Sequence, residues 1–153
     1  MRAHEKAFDS ICNGVFVVTT KDGETFNGMT AAWITRVSFE PPLLVVSIGT
    51  GRYSHELISS SGVFAVNVLA KGQARLGKHF GFKTGRTVNK LESIPFVQGE
   101  TGSPILEGIA AYLDCRVRST HEAGDHTLFI GETVASEVYD RTPLPYRHED
   151  FFG

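Results

Sequence analysis

Residues Asn27 to Leu57 read NGMTAAWITRVSFEPPLLVVSIGTGRYSHEL. Two apolar, strand-like runs meet at the Pro41-Pro42 corner, and a glycine- and hydroxyl-rich loop follows that opens a short helix. Met29-Thr30-Ala31-Ala32-Trp33 sets small residues beside one aromatic, so backbone amides there can approach a flat ligand closely. Thr50, Arg52, Tyr53 and Ser54 add hydroxyls and a cation at the helix start. A helix N-terminus offers free amide donors and the positive end of a dipole, which suits an anion. The stretch therefore reads as a seat for a planar ring followed by a seat for a phosphate.

Upstream, Gly14 to Thr20 is rich in β-branched and aromatic residues and ends at Lys21-Asp22-Gly23, a hairpin signal. The partner strand runs through Thr25 and Phe26 toward Trp33, with Gly28 marking a bulge or a close approach. Before the hairpin, Met1 to Cys12 reads as a lead-in helix. Downstream, Val37-Ser38-Phe39 stays extended until the two prolines remove backbone donors. Leu43 to Ile48 is a continuous apolar run, which predicts a strand covered on both faces. Ser54 is placed to cap a helix over His55 to Ser60 that Gly62 closes.

Val63 to Leu69 is a further strand, and Gln73 to Phe80 a second short helix with Leu76, His79 and Phe80 on one side. Gly81 to Ser103 is the longest irregular segment and carries Lys83, Arg86 and Lys90 among small residues, so it reads as functional. Strands follow at Ile109 to Arg118 and His126 to Val138 around a turn at His121 to Asp125. The tail from Pro143 to Gly153 is expected to be extended and to pack on a neighbour. At least six strands with brief helices predict a mainly β fold, a closed or nearly closed antiparallel barrel, in one domain spanning 1–153. The helical segments are too few for an alternating βα sheet.

A chain of 153 residues with net charge -2 has room for a real core and lacks the basic surplus of an electrostatic nucleic-acid binder. No apolar run is long enough to cross a bilayer, and MRAHEKAFDSIC holds no signal-peptide core, so a cytoplasmic protein is expected. Cys12 and Cys115 make neither a disulfide framework nor a metal motif, and no metal site is visible. Gly49-Thr50-Gly51-Arg52-Tyr53-Ser54 imitates a dinucleotide fingerprint, but Ser54 stands where the third glycine belongs. Counted from Gly77, a P-loop fails at Phe82. His126 opens an apolar strand and is either a surface residue or an imidazole at the barrel mouth. Trp33 suits either the core or a wall beside a conjugated ring. Lys83 and Arg86, near Gly81 and Gly85, are either solvated charges or an anion cradle.

Several blocks in order resemble the flavin reductase-like family of FMN-binding split β-barrels. They are Asn27 to Trp33, Val37 to Leu43, Ser61 to Leu69, His79 to Arg86, Thr101 to Ile105, and Gly124 to Glu132. His79-Phe80-Gly81-Phe82-Lys83 looks closest to flavoredoxin-type and rubredoxin-linked members. The resemblance implies a Greek-key-like split barrel, a homodimer with flavin near its interface, and hydride transfer from NADH or NADPH to bound FMN. Electrons would then pass to free flavin, a ferric complex or a redox protein. Implied cofactor residues are Met29, Thr30, Ala31, Ala32, Trp33, Ser47, Ile48, Gly49, Thr50, Tyr53, Ser54, Phe80, Gly81, Lys83 and Arg86. His126 matches a histidine on the nicotinamide side and is the one implied catalytic residue. Ala32 departs from the serine of many relatives, which removes a side-chain bond to flavin. No rubredoxin-like cysteine motifs are present, so any iron-protein acceptor is a separate chain. The alternative is an FMN-binding electron carrier without nicotinamide activity; a related barrel oxidase of phosphorylated pyridoxine compounds fits the blocks less well.

Overall fold

The structure, a computed structural model, describes residues 2–152. A short α1 (Glu5–Phe8) precedes β1 (Phe16–Asp22), β2 (Thr25–Ala31), β3 (Ile34–Ser38), β4 (Leu43–Gly49) and α2 (Tyr53–Ser61). Then come β5 (Val63–Val68), α3 (Ala74–Gly81), the small β6 (Phe96–Gln98) and β7 (Pro104–Leu106), β8 (Ala111–Ala123), β9 (His126–Val138) and α4 (His148–Phe152).

The hairpin at Asp22-Gly23 forms with Asp22 opposite Thr25. Gly23 opens its two-residue loop at φ +61°, an angle that costs glycine nothing. Pairing continues without a shift past Gly28, so that glycine marks a close approach and not a bulge. A Cβ there would stand 3.0 Å from ring carbons of Phe80.

Seven strands form one antiparallel sheet in the order β2-β1-β5-β8-β9-β4-β3. Val18, Met29, Leu44, Val46, Ile48, Phe64, Val66, Cys115 and Phe129 join in one apolar cluster, with Ile34 packed against it. Every strand thus sends a side chain into the same interior, which requires the sheet to curl almost back on itself. The barrel stays split between its edge strands, β2 and β3, which the chain links through Ala32-Trp33. A second cluster lies on the outside of β1 and β5, where Val17 and Ala65 meet Leu69, Phe80, Ile105, Ile109, Leu144 and Phe151.

Those two strands, not β4, are the ones covered on both faces. β4 buries Leu44, Val46 and Ile48 and leaves Leu43, Val45 and Ser47 partly exposed. The sequence expectation fails because one face of an antiparallel sheet can stay open where no element of the chain crosses it. Other boundaries also move. The lead-in helix keeps only Glu5–Phe8 and buries none of its residues. The long irregular segment contains β6, paired with β7. β8 runs on through Ala123, leaving Gly124-Asp125 as a two-residue loop. The tail packs on its own chain, with Pro143 bridging Ala70, Pro145 bridging Gly14, and Phe151 buried. Among the described residues, no helix is long and apolar enough to cross a membrane.

Gly131 offers a test of the packed interior, because a Cβ there would meet Phe64 Cε1 at 2.9 Å and Cys115 Cβ at 3.0 Å. Gly131→Ala is expected to cost roughly 1–3 kcal/mol, read as a lower urea midpoint with an unchanged slope.

Candidate functional site

At the split, a cleft of about 340 Å³ opens between β2, the start of α2 and the segment after α3. Its lining includes Asn27 and Met29 of β2, Gly51 to Ser54, Gly81 to Gly85, and Lys90. Arg52, Lys83 and Lys90 bring three cations, and no Asp or Glu stands among the described lining residues. α2 begins here with Arg52 at its N-cap and no side-chain cap, so its first amides remain available as donors. Gly85 lets the loop close over this ground: a Cβ would collide with the Asn27 carboxamide and lie 2.8 Å from Tyr53 Cδ2.

Lys90 is the deepest of the three, with 3% of its surface exposed. Its ammonium donates to Gly28 O at 2.8 Å and Phe80 O at 3.0 Å. Both acceptors are neutral carbonyls, so a third N–H and a whole positive charge have no carboxylate to answer them. Burial, reinforced by the Arg52 guanidinium, pulls the amine down to about 8. A phosphate in the cleft would supply the missing negative charge. That complementarity is the fit between this lining and a phosphorylated flavin.

The same end of the barrel carries a second group. Thr50 N donates to Asp125 O at 3.0 Å and docks the β8–β9 tip beside Gly49. His126 Nδ1 lies 2.7 Å from Asp125 Oδ1. That bond holds the exposed Asp125 carboxyl below its ordinary range, and an ionised carboxylate can only accept. Nδ1 therefore carries a proton, and Nε2 turns toward Gly49, 3.9 Å from where a Cβ would sit. The Trp33 ring lies 4.8 Å from the imidazole and is 57% exposed, so it is a wall and not core. Ser47 N donates to Trp33 O at 3.1 Å, which fixes the wall to β4.

Of the residues expected from sequence, Met29, Tyr53, Ser54, Gly81 and Lys83 line the cleft. Trp33, Gly49, Thr50 and His126 gather at the tip, with Ala31 and Ser47 on the strands beside them and Ala32 in the β2–β3 link. Four side chains are otherwise engaged. Ile48 and Phe80 are fully buried in the two cores. Arg86 pairs with Glu56 at 2.7 Å and lies over Tyr53, 5.1 Å from its ring, instead of lining the cleft. Thr30 gives its hydroxyl to Gly77 O at 2.5 Å. Ser54 is no helix cap; it accepts from Asn27 Nδ2 at 2.8 Å. The residues missed were Asn27, Phe82, Thr84, Gly85 and above all Lys90, whose only sequence signal was its place in a cation-bearing irregular segment. Arg52, expected with its neighbours at the helix start to form a phosphate seat, does line the cleft. Among the described residues, no group of three or more His, Cys, Asp or Glu side chains is placed to hold a metal ion.

A family model described as "Flavin reductase like domain" matches residues 8–153. An NADH-dependent FAD reductase of Streptomyces globisporus is 35% identical over 133 residues, 86% of this chain and 72% of that protein. The chain spans 64% and 25% of two other curated relatives, at 34% and 35% identity. The structure of an NADH:FAD oxidoreductase of Streptomyces globisporus C-1027 superposes with a TM-score of 0.88 at 31% identity, covering 95% of this chain and 91% of that one. An FMN-binding protein of Thermus thermophilus with bound p-hydroxybenzaldehyde superposes with a TM-score of 0.85 at 32% identity, covering 95% and 85%.

Lys90 makes stability depend on pH in a defined direction. The folded chain gives up the Lys90 proton near pH 8, whereas the unfolded chain holds it to about 10.5. The unfolded state thus binds more protons in that window, and stability rises as pH climbs through it. Denaturant titrations from pH 8 to 10.5 should show a gain of up to about 3 kcal/mol attributable to this group, absent in Lys90→Met.

Proposed function

Because this chain belongs to the flavin reductase-like family, we propose that it is an NAD(P)H-dependent flavin reductase working as one flavin-binding domain. The observation that carries the reading is the loop from Gly49 to Ser54, which joins an acid-free, cation-lined cleft to the Trp33–His126 wall. One end suits a phosphate and the other a conjugated ring.

In this reading Lys90, Lys83, Arg52 and the first amides of α2 hold the flavin phosphate. Backbone groups of Met29 to Trp33 and Ser47 to Gly49 run beside the ribityl chain and ring, with FMN as the expected flavin. Ala32 contributes only backbone there. Bound flavin supplies the acceptor for hydride from a nicotinamide. The chain supplies position: Trp33 bounds the ring, and His126, held in one tautomer by Asp125, presents Nε2 to the nicotinamide. No side-chain nucleophile is required. NADH or NADPH is the donor, and the onward acceptor is free flavin, a ferric complex or a separate redox protein. A nicotinamide-dependent site of this kind is expected to work in the cytoplasm.

The reading also includes a homodimer. Outward Leu43, Val45, Leu128 and Ile130 lie on one open face, with Ile130 opposite Val45 and Leu128 opposite Ser47, and Val37 of β3 and Phe39 just past its end are exposed. A contiguous apolar face of this kind suits a second copy. Sedimentation should give a dimer for the wild type and a monomer for Val45→Lys.

Anaerobic mixing of the flavin-loaded protein with NADH or NADPH should bleach the flavin absorbance within the dead time or seconds after it. His126→Ala is expected to keep its flavin and to bleach about ten- to a hundredfold more slowly. Lys90→Met should weaken FMN binding by at least about tenfold. A loaded protein that ignores both nicotinamides would be an electron carrier instead, and this reading would fall.

A further inference from the structure

Lys83 is exposed on an irregular segment, where a free lysine would sample many rotamers before meeting an anion. Its ammonium is not free. Nζ lies 3.3 Å from Nδ1 of His79, four positions earlier in the last turn of α3. The same imidazole reaches the other way, with Nε2 2.6 Å from Lys90 O. His79 is half-buried, its ring is edge-on to Phe80 at 5.0 Å, and it does not line the cleft. None of the roles above uses it.

The two bonds assign the ring's proton. A carbonyl oxygen only accepts, so Nε2 must donate to Lys90 O; an ammonium only donates, so Nδ1 must accept from Lys83. One tautomer satisfies both. The ring is therefore a fixed spacer between the backbone of the buried lysine and the ammonium of the exposed one. Lys90 is in turn anchored through Nζ to Gly28 O and Phe80 O. One of the three N–H bonds of Lys83 is spent on His79, which leaves two for an anion. A guided cation gives up less rotamer freedom when it binds, so the gain appears as affinity for the charged group and for nothing else on the ligand.

We propose that His79 is a positioning residue that aims Lys83 at the flavin phosphate, and so sets this chain's discrimination between phosphorylated flavin and riboflavin. The inference rests on the flavin-binding reading and adds to it a residue outside the cleft. Acting through Lys83 alone, His79 alters what the protein gains from a phosphate and not what it gains from a ring. A purely structural histidine would weaken both flavins together.

The test is equilibrium binding of FMN and riboflavin, by flavin fluorescence quenching, to the full chain without nicotinamide. Riboflavin lacks the phosphate, so the ratio of the two affinities isolates the anion's share. Lys83→Met should lower that ratio about tenfold. His79→Phe, which keeps an edge-on ring but neither bond, should lower it roughly three- to tenfold with riboflavin affinity within about twofold. His79→Asn, whose amide oxygen can stand near the place of Nδ1, should keep most of the ratio. His79→Phe combined with Lys83→Met should be no worse than Lys83→Met alone, because both remove one interaction. Should His79→Phe fail to fold, His79→Gln takes its place, since its amide can still donate to Lys90 O. A ratio unchanged in Lys83→Met or His79→Phe, a ratio lost equally in His79→Asn, or additive losses in the double variant would overturn the positioning role alone. A wild type that binds neither flavin, or both equally, would overturn the underlying phosphate-seat reading as well.

Discussion

One buried ammonium holds three parts of this molecule in register. β2 is an edge strand, and such a strand leaves backbone groups without a neighbour to answer them. At Gly28 the answer comes from Lys90 and not from another strand, and the same ammonium takes the Phe80 carbonyl in the last turn of α3. A cation at a helix C-terminus also meets the negative end of its dipole. Edge strand, helix end and cleft floor are thereby tied at one point. The barrel can remain split there without an open edge that invites pairing with another chain.

That arrangement stores an electrostatic debt in the ligand-free protein. Burial disfavours the charged amine, Arg52 disfavours it further, and nearby carbonyls only partly compensate. Anion binding relieves the imbalance, so stability and ligand affinity draw on the same group. Where the site meets the Trp33–His126 wall the chemistry is gentler. Asp125 fixes a tautomer, Trp33 bounds a space, and the exposed tip needs no unusual ionisation to do either.

The barrel was legible because its signals are local or repeated: a two-residue turn at Gly23, apolar runs of strand length, and family blocks in order. The ring end of the site was legible for the same reason, since Trp33 and His126 sit at strand termini that pairing brings together. The cation end was legible only in part: the helix start and Lys83 line the cleft as expected, but Lys90 was not singled out. Lys83, Arg86 and Lys90 occupy one irregular segment, and which of them faces inward depends on how tightly Gly85 approaches Asn27 and Tyr53, a tertiary fact. The sequence reading named Lys83 and Arg86 alike; the fold turns Lys83 to the cleft and gives Arg86 to Glu56. Ile48 and Phe80 illustrate parity: neighbours of contact residues in the chain, they point into the cores. β4 was misjudged because an apolar run does not say whether its second face is covered within the chain or left open.

The tip between β8 and β9 has a consequence for how such chains can vary. Gly124 and Asp125 are the whole connection, with Ala123 already paired to His126. One inserted residue would shift the strand pairing by a step and send alternate side chains to opposite faces. The imidazole would leave Trp33 even though every amino acid of the site were retained. At this hairpin number and identity are bound together: Gly124 turns at φ +64° and Asp125 carries the imidazole's partner, so neither of the two letters can be spared or joined by a third without moving the ring.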